Sequence, residues 1–154
     1  MAVFVVDASV ALAWCFAGEA TTWTEGLLER LRQGDRIIVP AHWPTEVANA
    51  LLMGVRRRRI KSGQPQLLWE ELARLPIETE PALTTAQAKE VLTLGERHGL
   101  TVYDAAYLEI ARRHQLPLGT LDADLRKAAQ AEYRCCKAIR NTGIAWLALL
   151  VSSS

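Results

Sequence analysis

The sequence predicts an α/β domain built around a mainly parallel sheet of about five strands. Short continuous apolar runs bounded by turn residues are typical of strands that are buried on both faces. Longer stretches with helical spacing lie between these runs, and strands that alternate with helices favour a parallel sheet. The chain has 154 residues, a length that suits a single domain with a sizeable core.

Five segments have the character of buried strands. They are residues 3–6 (VFVV), 36–40 (RIIVP), 76–79 (PIET), 116–121 (LPLGTL) and 144–150 (IAWLALL), of which PIET is the weakest. Each is bounded by Gly, Pro, Asp or a charged residue, as a strand between two connections would be.

Helical spacing fills the chain between the predicted strands, in ATTWTEGLLERLRQG, WPTEVANALLMGVRRRR, QPQLLWEELARL, TTAQAKEVLTLGERHG and TVYDAAYLEIARRH. Gly34 and Gly99 follow such stretches at the position where a left-handed residue ends a helix. Thr84 and Gln87 have the spacing of a capping box at a helix start. We expect one domain over residues 1–151, followed by a frayed tail at 152–154.

Composition excludes several classes of protein. Half of the residues are apolar, 23% are charged and the formal net charge is +1, which is typical of a globular domain and indicates no particular partner. The N-terminus reaches Asp7 without a basic segment or a long apolar one, so we expect a cytoplasmic protein without a signal peptide. The apolar segment 144–151 is shorter than the roughly 20 residues of a membrane helix. Cys15, Cys135 and Cys136 lack the spacing of zinc ligands, so we expect reduced thiols.

The aspartates are not scattered along the chain. There are five, Asp7, Asp35, Asp104, Asp122 and Asp124, and all except Asp35 lie where a predicted strand ends or a predicted helix begins. The carboxyl ends of parallel strands meet at one edge of a sheet, and ligands bind at that edge. We therefore expect Asp7 and Asp122 to lie at the same edge.

Two further acids lie on predicted helices and face the same edge. Asp104 shares a helix face with Tyr107 and Ala111, three and seven residues further on. Glu46 lies beside the apolar stripe of its helix, with Asn49 three residues later. Both acids are thus predicted to point toward the top of the sheet.

Each acid also has a simpler interpretation, and the functional interpretation depends on all of them converging. Aspartate is common at helix N-caps, and a first-turn glutamate complements the helix dipole. Two carboxylates 4 Å apart, however, repel by about 4 kcal/mol at an effective dielectric near 20. A hard divalent cation such as magnesium (Mg2+) or manganese (Mn2+), which prefers oxygen ligands, would offset that repulsion.

Such an ion would suit phosphodiester hydrolysis, because it lowers the pKa of bound water and stabilises charge on a phosphoryl oxygen. Ser9 and Thr120 each lie two residues from a key aspartate, where a hydroxyl can orient a carboxylate. Simple capping or turn formation is an equally good interpretation of these two residues.

Four segments, VVDASV, PTEVANAL, TVYDAAYLEIA and TLDADLRKAA, resemble in this order the four acidic motifs of the PIN-domain ribonucleases. Within that family, the chain length and the residues of the four motifs are most similar to those of VapC toxins of bacterial toxin–antitoxin pairs. The resemblance runs from Val3 to about Ala129. It implies a three-layer α/β/α fold, a bound Mg2+ or Mn2+, hydrolysis of single-stranded RNA, a cognate antitoxin and a homodimer.

The resemblance also assigns roles to residues. The family's acids fall in order on Asp7, Glu46, Asp104 and Asp122. The first, third and fourth would hold the metal, with Glu46 completing the cluster and acting on the water. The family has a threonine two residues before its fourth acid, which matches Thr120 and favours Asp122 over Asp124. Ser9, Asn49, Thr120 and Asp124 are expected around the metal ligands, although Asp124 could equally be a helix N-terminal acid. The pattern departs from the family after Ala129, where AEYRCCKAIRNTG precedes the last predicted strand.

One dense run of positive charge, formed by Arg56, Arg57, Arg58, Arg59 and Lys61, follows the helix that begins near Glu46. A solvated helix C-terminus explains it, since cations there interact favourably with the dipole. Contact with RNA phosphates explains it equally well.

Trp14, Trp43 and Trp69 fall on predicted helices near motifs that, in the family, help to form the antitoxin groove. Aromatic surface exposed there would favour a cognate partner and a homodimer, although core positions are the commoner place for tryptophan. His42, beside Trp43, lacks ligand spacing, and we expect a structural role for it.

Three alternatives to a ribonuclease fit the sequence less well. A haloacid-dehalogenase-like phosphatase needs a second aspartate two residues after the first, where this chain has Ser9. A receiver-type signalling module needs a late lysine followed by proline, whereas Lys137 is followed by Ala138. A PIN module that binds RNA or protein without cleavage is the third, and the four intact acids argue against it.

Overall fold

A computed structural model describes residues 1–135 of the chain. It contains β1 (Val3–Val6), α1 (Ala8–Cys15), α2 (Thr22–Arg32), β2 (Arg36–Val39), α3 (Trp43–Arg56), α4 (Gln64–Ala73), β3 (Ile77–Thr79), α5 (Thr85–His98), α6 (Val102–Arg113), β4 (Leu118–Gly119) and α7 (Ala123–Cys135). Within this part of the chain, no helix has the length and apolar character needed to cross a bilayer.

The four strands form one parallel sheet in the order β3-β2-β1-β4. Val5 of β1 is paired with Ile38 of β2 on one side and with Leu118 of β4 on the other. These strands match four of the five predicted segments and confirm the parallel sheet. The fifth, 144–150, lies outside the described residues.

Helices cover both faces of the sheet. Val5 and Val6 point to opposite faces of β1, and both are fully buried. Helix α6 contacts β1 and β4 and also packs on α5 and α7, while α1 contacts β1 and α3. The run from Ala105 to Ala111 in α6 is buried on all sides, which explains why so little of it is polar.

Strand β4 is much shorter than the predicted segment 116–121. Pro117 lacks the N–H that a ladder needs, although its carbonyl accepts a hydrogen bond from the Val5 N–H at 2.8 Å. At the other end, the Thr120 side chain donates to Asp7. The segment therefore leaves the ladder after Gly119, and its last two residues belong to the site.

The local signals at the helix ends are confirmed. Thr84 and Gln87 form a capping box at the start of α5, and Gly99 ends that helix in the left-handed conformation with φ 65°. Gly34, just beyond α2, has φ 109°, a value that favours glycine.

The tryptophans contribute mainly to packing. Trp43 is buried, and its ring centroid lies 6.0 Å from that of the half-buried Trp69. Trp14 donates its indole N–H to the Thr24 carbonyl at 2.7 Å. These contacts support the core interpretation over an exposed aromatic surface.

Helices α1 and α3 approach closely at Gly54. A Cβ atom at this position would lie 2.7 Å from Cε1 of Phe16, the residue at the C-terminal end of α1. The absence of a side chain therefore sets the separation of the two helices.

Glu132 ties α7 to two other helices through a buried carboxylate. Its Oε1 accepts a hydrogen bond from Arg97 at 2.8 Å and lies 2.6 Å from His98 Nε2, while Oε2 lies 3.2 Å from Arg112 Nε. The carboxylate is buried, which raises its pKa, but these partners outweigh burial and hold the pKa below its usual value.

Replacing this carboxylate tests its contribution to stability. Glu132→Gln is expected to lower the free energy of unfolding at pH 7 by about 1.5–3 kcal/mol, the range for hydrogen bonds to charged groups. Because the folded pKa is lowered, the stabilisation is present above the unfolded value of about 4.5 and is lost as the pH falls through the folded pKa. Urea unfolding at pH 7 and at pH 3 should show the difference shrinking in acid.

Glu71→Gln is the matched control. Glu71 pairs with Arg74 on the surface of α4, where both side chains are mostly exposed, and exposed pairs contribute little. Equal losses in the two variants at pH 7 would contradict the structural role of Glu132.

Candidate active site

Asp7 occupies the point where β1 ends and α1 begins. It is the N-cap residue of α1, yet its side chain makes no capping hydrogen bond. Instead Oδ1 accepts from the Ser9 hydroxyl at 2.5 Å, and Oδ2 accepts from the Thr120 hydroxyl at 2.6 Å. The carboxyl is only 5% exposed. The closest contacts of the Asp7 carboxyl are therefore with two hydroxyls, and the Val10 N–H of α1 interacts with it as well.

The two hydroxyls also join Asp7 to the segment that follows β4. The Thr120 hydroxyl accepts a hydrogen bond from the Asp122 N–H at 2.9 Å, and the Ser9 hydroxyl accepts from the Leu121 N–H at 3.0 Å. Both hydroxyls thus donate to the carboxylate and accept from the backbone. Ser9 contacts the carboxylate of the aspartate two residues before it, whereas Thr120 contacts the carboxylate of Asp7 and only the backbone N–H of Asp122.

Glu46 lies in the first turn of α3 and is held from α6. The hydroxyl of Tyr107 donates to Glu46 Oε2 at 2.8 Å. Tyr107 is fully buried, and burial together with the nearby Glu46 carboxylate raises its pKa well above the usual value. The tyrosine therefore stays protonated and acts as a donor.

Burial and mutual repulsion perturb the acids. Burial raises the pKa of Asp7 to about 6 against the lowering effect of the Ser9 and Thr120 hydrogen bonds, and the Glu46 carboxylate adds to the rise. Burial also raises the pKa of Glu46, with a further contribution from Asp104. Glu46 therefore acts electrostatically on Asp7, and Asp104 acts on Glu46.

Asp104 and Asp122 sit at helix starts. The Thr101 hydroxyl caps α6 by accepting from the Asp104 N–H and donates in turn to Asp104 Oδ2, both at 3.1 Å. Asp122 Oδ1 accepts from the Leu125 N–H of α7 at 2.8 Å. Asp124 is exposed in the first turn of α7, and Asn49 is exposed on α3.

The donor chemistry of these acids fits a hard divalent cation, although their side chains do not converge on one point. Among residues 1–135, no group of three or more His, Cys, Asp or Glu side chains is arranged to hold a metal. Within the same residues, no Lys or Arg forms an ion pair with Asp7, Glu46, Asp104 or Asp122. The site is thus rich in carboxylate oxygens and short of positive charge.

His42 and Tyr107 lie beside Glu46, and the sequence did not indicate that either belongs to the site. The ring of His42 lies between Tyr103 and Tyr107, with centroid distances of 5.3 and 5.4 Å, and its Nε2 is 3.6 Å from Glu46 Oε2. Burial lowers the pKa of His42. Tyr107 appeared in the sequence only as part of an apolar stripe. The available signal was that a buried tyrosine hydroxyl needs a polar partner.

The basic run lies at the far end of α3 from Glu46. Ten residues separate Glu46 from Arg56, about 15 Å at 1.5 Å per residue. Arg59 is engaged elsewhere, because it pairs with Glu19 and its guanidinium lies 4.2 Å from the centroid of the Phe16 ring. Arg56, Arg57, Arg58 and Lys61 are exposed.

The buried carboxyl of Asp7 predicts a pH-dependent cost in stability. Its folded pKa of about 6 exceeds the ordinary 3.8, so the cost grows as the pH rises from about 4 to 6 and stays constant above that range. With chelator present, Asp7→Asn should be more stable than the wild type at pH 8 by about 2–3 kcal/mol. Urea unfolding at pH 8 and pH 4 measures the difference, which should nearly vanish at pH 4.

Asp124→Asn provides the control, because Asp124 is exposed. It should change stability by less than about 1 kcal/mol at either pH. Equal stability of Asp7→Asn and the wild type at pH 8 would show that the Asp7 carboxylate carries no such cost.

Known proteins resemble this chain in sequence and in fold. The family model described as PIN domain matches residues 4–131. "Ribonuclease VapC3" of Pyrobaculum aerophilum is 30% identical over 125 residues, which are 79% of this chain and 90% of that protein.

Solved structures share the fold as well, and two of them carry the Vap name. VapC20 of Mycobacterium tuberculosis, described as a sarcin-ricin loop cleaving toxin, has a TM-score of 0.58 and 18% identity, covering 81% of this chain and 94% of that one. VapBC2 from Rickettsia felis, bound to a DNA fragment from their promoter, has a TM-score of 0.51 and 16% identity, covering 78% of this chain and 99% of that one. Taken with the family match and the relative's identity, the parallel sheet and its acidic edge establish that the chain belongs to the PIN-domain family, among the VapC ribonucleases.

Proposed function

We propose that this protein is an endoribonuclease that depends on Mg2+ or Mn2+, cleaves single-stranded RNA and acts as the toxin of a toxin–antitoxin pair. The observation that carries the proposal is the acidic edge formed by Asp7, Glu46 and Asp104. The Glu46 carboxylate raises the pKa of Asp7 and the Asp104 carboxylate raises that of Glu46, while no Lys or Arg among residues 1–135 forms an ion pair with these acids. The likeness to a protein named as a ribonuclease supports RNA as the substrate.

Asp7, Asp104 and Asp122 would hold the metal, and Glu46 would complete the cluster. A bound divalent ion would lower the pKa of water and stabilise negative charge on a phosphoryl oxygen. The hydroxyls of Ser9 and Thr120 fix both oxygens of Asp7, so its carboxylate presents one orientation to a ligand. Such support commonly affects activity about 10- to 100-fold.

Glu46 is suited to accept the proton of the attacking water. Tyr107 holds Oε2 of Glu46, which leaves Oε1 as the oxygen that takes the proton. Burial and the charge of Asp104 raise the pKa of Glu46, and a base works best when its pKa approaches the working pH. Glu46 is therefore the general base of the proposed reaction.

The proposed partners are a cognate antitoxin and a second copy of the chain, in the cytoplasm. The structure of VapBC2 from Rickettsia felis covers a pair of Vap proteins and shares this fold, which supports an antitoxin partner. Membership of the PIN family sets aside the phosphatase and the receiver module. The cleavage test below distinguishes the proposed ribonuclease from a PIN module that binds RNA or protein without cleaving it.

Cleavage of a mixed RNA pool tests the acidic edge. The wild type should cleave with Mg2+ or Mn2+ and stop with chelator. Asp7→Asn should reduce the rate by more than about 100-fold, beyond the usual loss for a residue that only supports a ligand. Glu71→Gln, which changes charge equally on the exposed surface of α4, should leave the rate unchanged.

Thermal unfolding with and without Mn2+ tests metal binding independently of cleavage. Because a ligand stabilises the folded state that binds it, Mn2+ should raise the melting temperature of the wild type and not that of Asp7→Asn. Equal cleavage in the wild type, in chelator and in Asp7→Asn would point to a contaminant. Metal binding without cleavage of any RNA would favour the binding module.

The basic run predicts a salt-dependent contribution to RNA binding. Replacing Arg56, Arg57 and Arg58 together by Gln should weaken single-stranded RNA binding at all sequences and reduce the slope of log affinity against log salt by up to about 2. Arg59→Gln is the comparison, because its guanidinium already contacts Phe16 and Glu19. An unchanged slope in the triple variant would assign the run to a solvated helix end.

A further inference from the structure

Tyr103 places an exposed aromatic ring at the acidic edge. It lies in the first turn of α6, directly before Asp104, and it is 63% exposed. Among the large hydrophobic side chains exposed in residues 1–135, it is the only aromatic one. An aromatic ring exposed next to Asp104 presents a flat apolar face on which another ring can stack.

The position of the ring is supported from α3. His42 contacts Tyr103 in an edge-type arrangement, with a centroid distance of 5.3 Å and an interplanar angle of 67°. His42 is itself held against Tyr107, the residue that donates to Glu46. Since most of Tyr103 remains exposed, this contact occupies only part of its ring. The ring is thus fixed in place and open to solvent.

Because the acids of the edge repel phosphates, RNA binding there needs an attraction that does not depend on charge. An RNA phosphate approaching Asp7, Glu46 and Asp104 meets carboxylates, and the exposed arginines of α3 begin about 15 Å along the helix from Glu46. Apolar surface is available at the edge instead, because two further apolar side chains are exposed there. Val102 lies two residues before Asp104, and Leu121 directly precedes Asp122. A nucleobase can stack on an aromatic ring whatever its sequence.

We propose that Tyr103 stacks on an unpaired base of the RNA beside the phosphate that is cleaved. This inference rests on the proposed ribonuclease function and adds a substrate-binding residue to it. It also supplies a physical reason for single-stranded substrates, since the bases of a duplex are already stacked on their neighbours and cannot be splayed onto a protein ring.

The test measures RNA binding in a background that does not cut. Asp7→Asn protein, alone and combined with Tyr103→Ala, Tyr103→Trp or Leu92→Ala, is titrated with a fluorescein-labelled 12-nucleotide oligouridine at several salt concentrations. Tyr103→Ala should weaken binding by about 5- to 150-fold, the range for losing one stacked base. Tyr103→Trp should bind as well as the parent, and Leu92→Ala, which removes a 60% exposed side chain from α5, should have no effect.

Salt dependence separates stacking from charge. Stacking releases no counterions, so Tyr103→Ala should lower affinity at every salt concentration and leave the slope unchanged. In cutting protein, an abasic nucleotide beside the mapped cleavage site should slow the wild type, while Tyr103→Ala should not distinguish the abasic RNA from the intact one.

The possible results distinguish a failure of base stacking by Tyr103 from a failure of the proposed ribonuclease function. If the wild type cleaves RNA and Tyr103→Ala binds as well as the parent, the stacking role is wrong. If in addition the elution volume of Tyr103→Ala changes, the ring belongs to a protein interface. If the wild type neither binds nor cleaves RNA, the proposed function fails and the inference fails with it.

Discussion

The hydrogen bond from the Thr120 hydroxyl to Asp7 Oδ2 holds the site together. It is buried, 2.6 Å long, and joins residues 113 positions apart in the chain. The backbone pairing beside it is slight, because β4 has only two residues. Since hydrogen bonds to a charged oxygen are stronger than those between neutral groups, this contact adds to the ladder between β1 and β4. The same hydroxyl accepts from the Asp122 N–H, so it orients a carboxylate and the start of a helix together.

Helix capping and an acidic site are compatible in this protein, although the sequence presents them as alternatives. Asp104 and Asp122 take part in the hydrogen bonds that begin α6 and α7. A carboxylate at a helix N-terminus lies near the positive end of the dipole, which offsets part of the repulsion between neighbouring acids. Only Oδ1 of Asp122 forms a hydrogen bond within the described residues, so capping leaves its second oxygen for other use.

The sequence predicts most of the fold because burial on both faces leaves a direct trace. Val3–Val6 is a continuous apolar run, and Thr84 with Gln87 is a local signal that depends on three residues of spacing. The extent of β4 was overestimated because the role of Thr120 depends on Asp7, which is distant in the chain. The hydrogen bond between Tyr107 and Glu46 joins residues 61 positions apart, so no local sequence pattern predicts it. The environment of Asp7 was easier to anticipate, since Ser9 is only two residues away.

Gly54 makes the spacing of the acids depend on a residue that touches none of them. It lies eight residues after Glu46 on α3, about 12 Å along a stiff rod, and it sits against the end of the helix that follows Asp7. A side chain there would have to displace the Phe16 ring or α3 itself, and a shift of α3 would move Glu46 relative to Asp7. The position of Glu46 relative to Asp7 therefore depends on the absence of a methyl group where α3 meets the end of α1. A substitution at Gly54 could change the chemistry of the site without altering any of its acids.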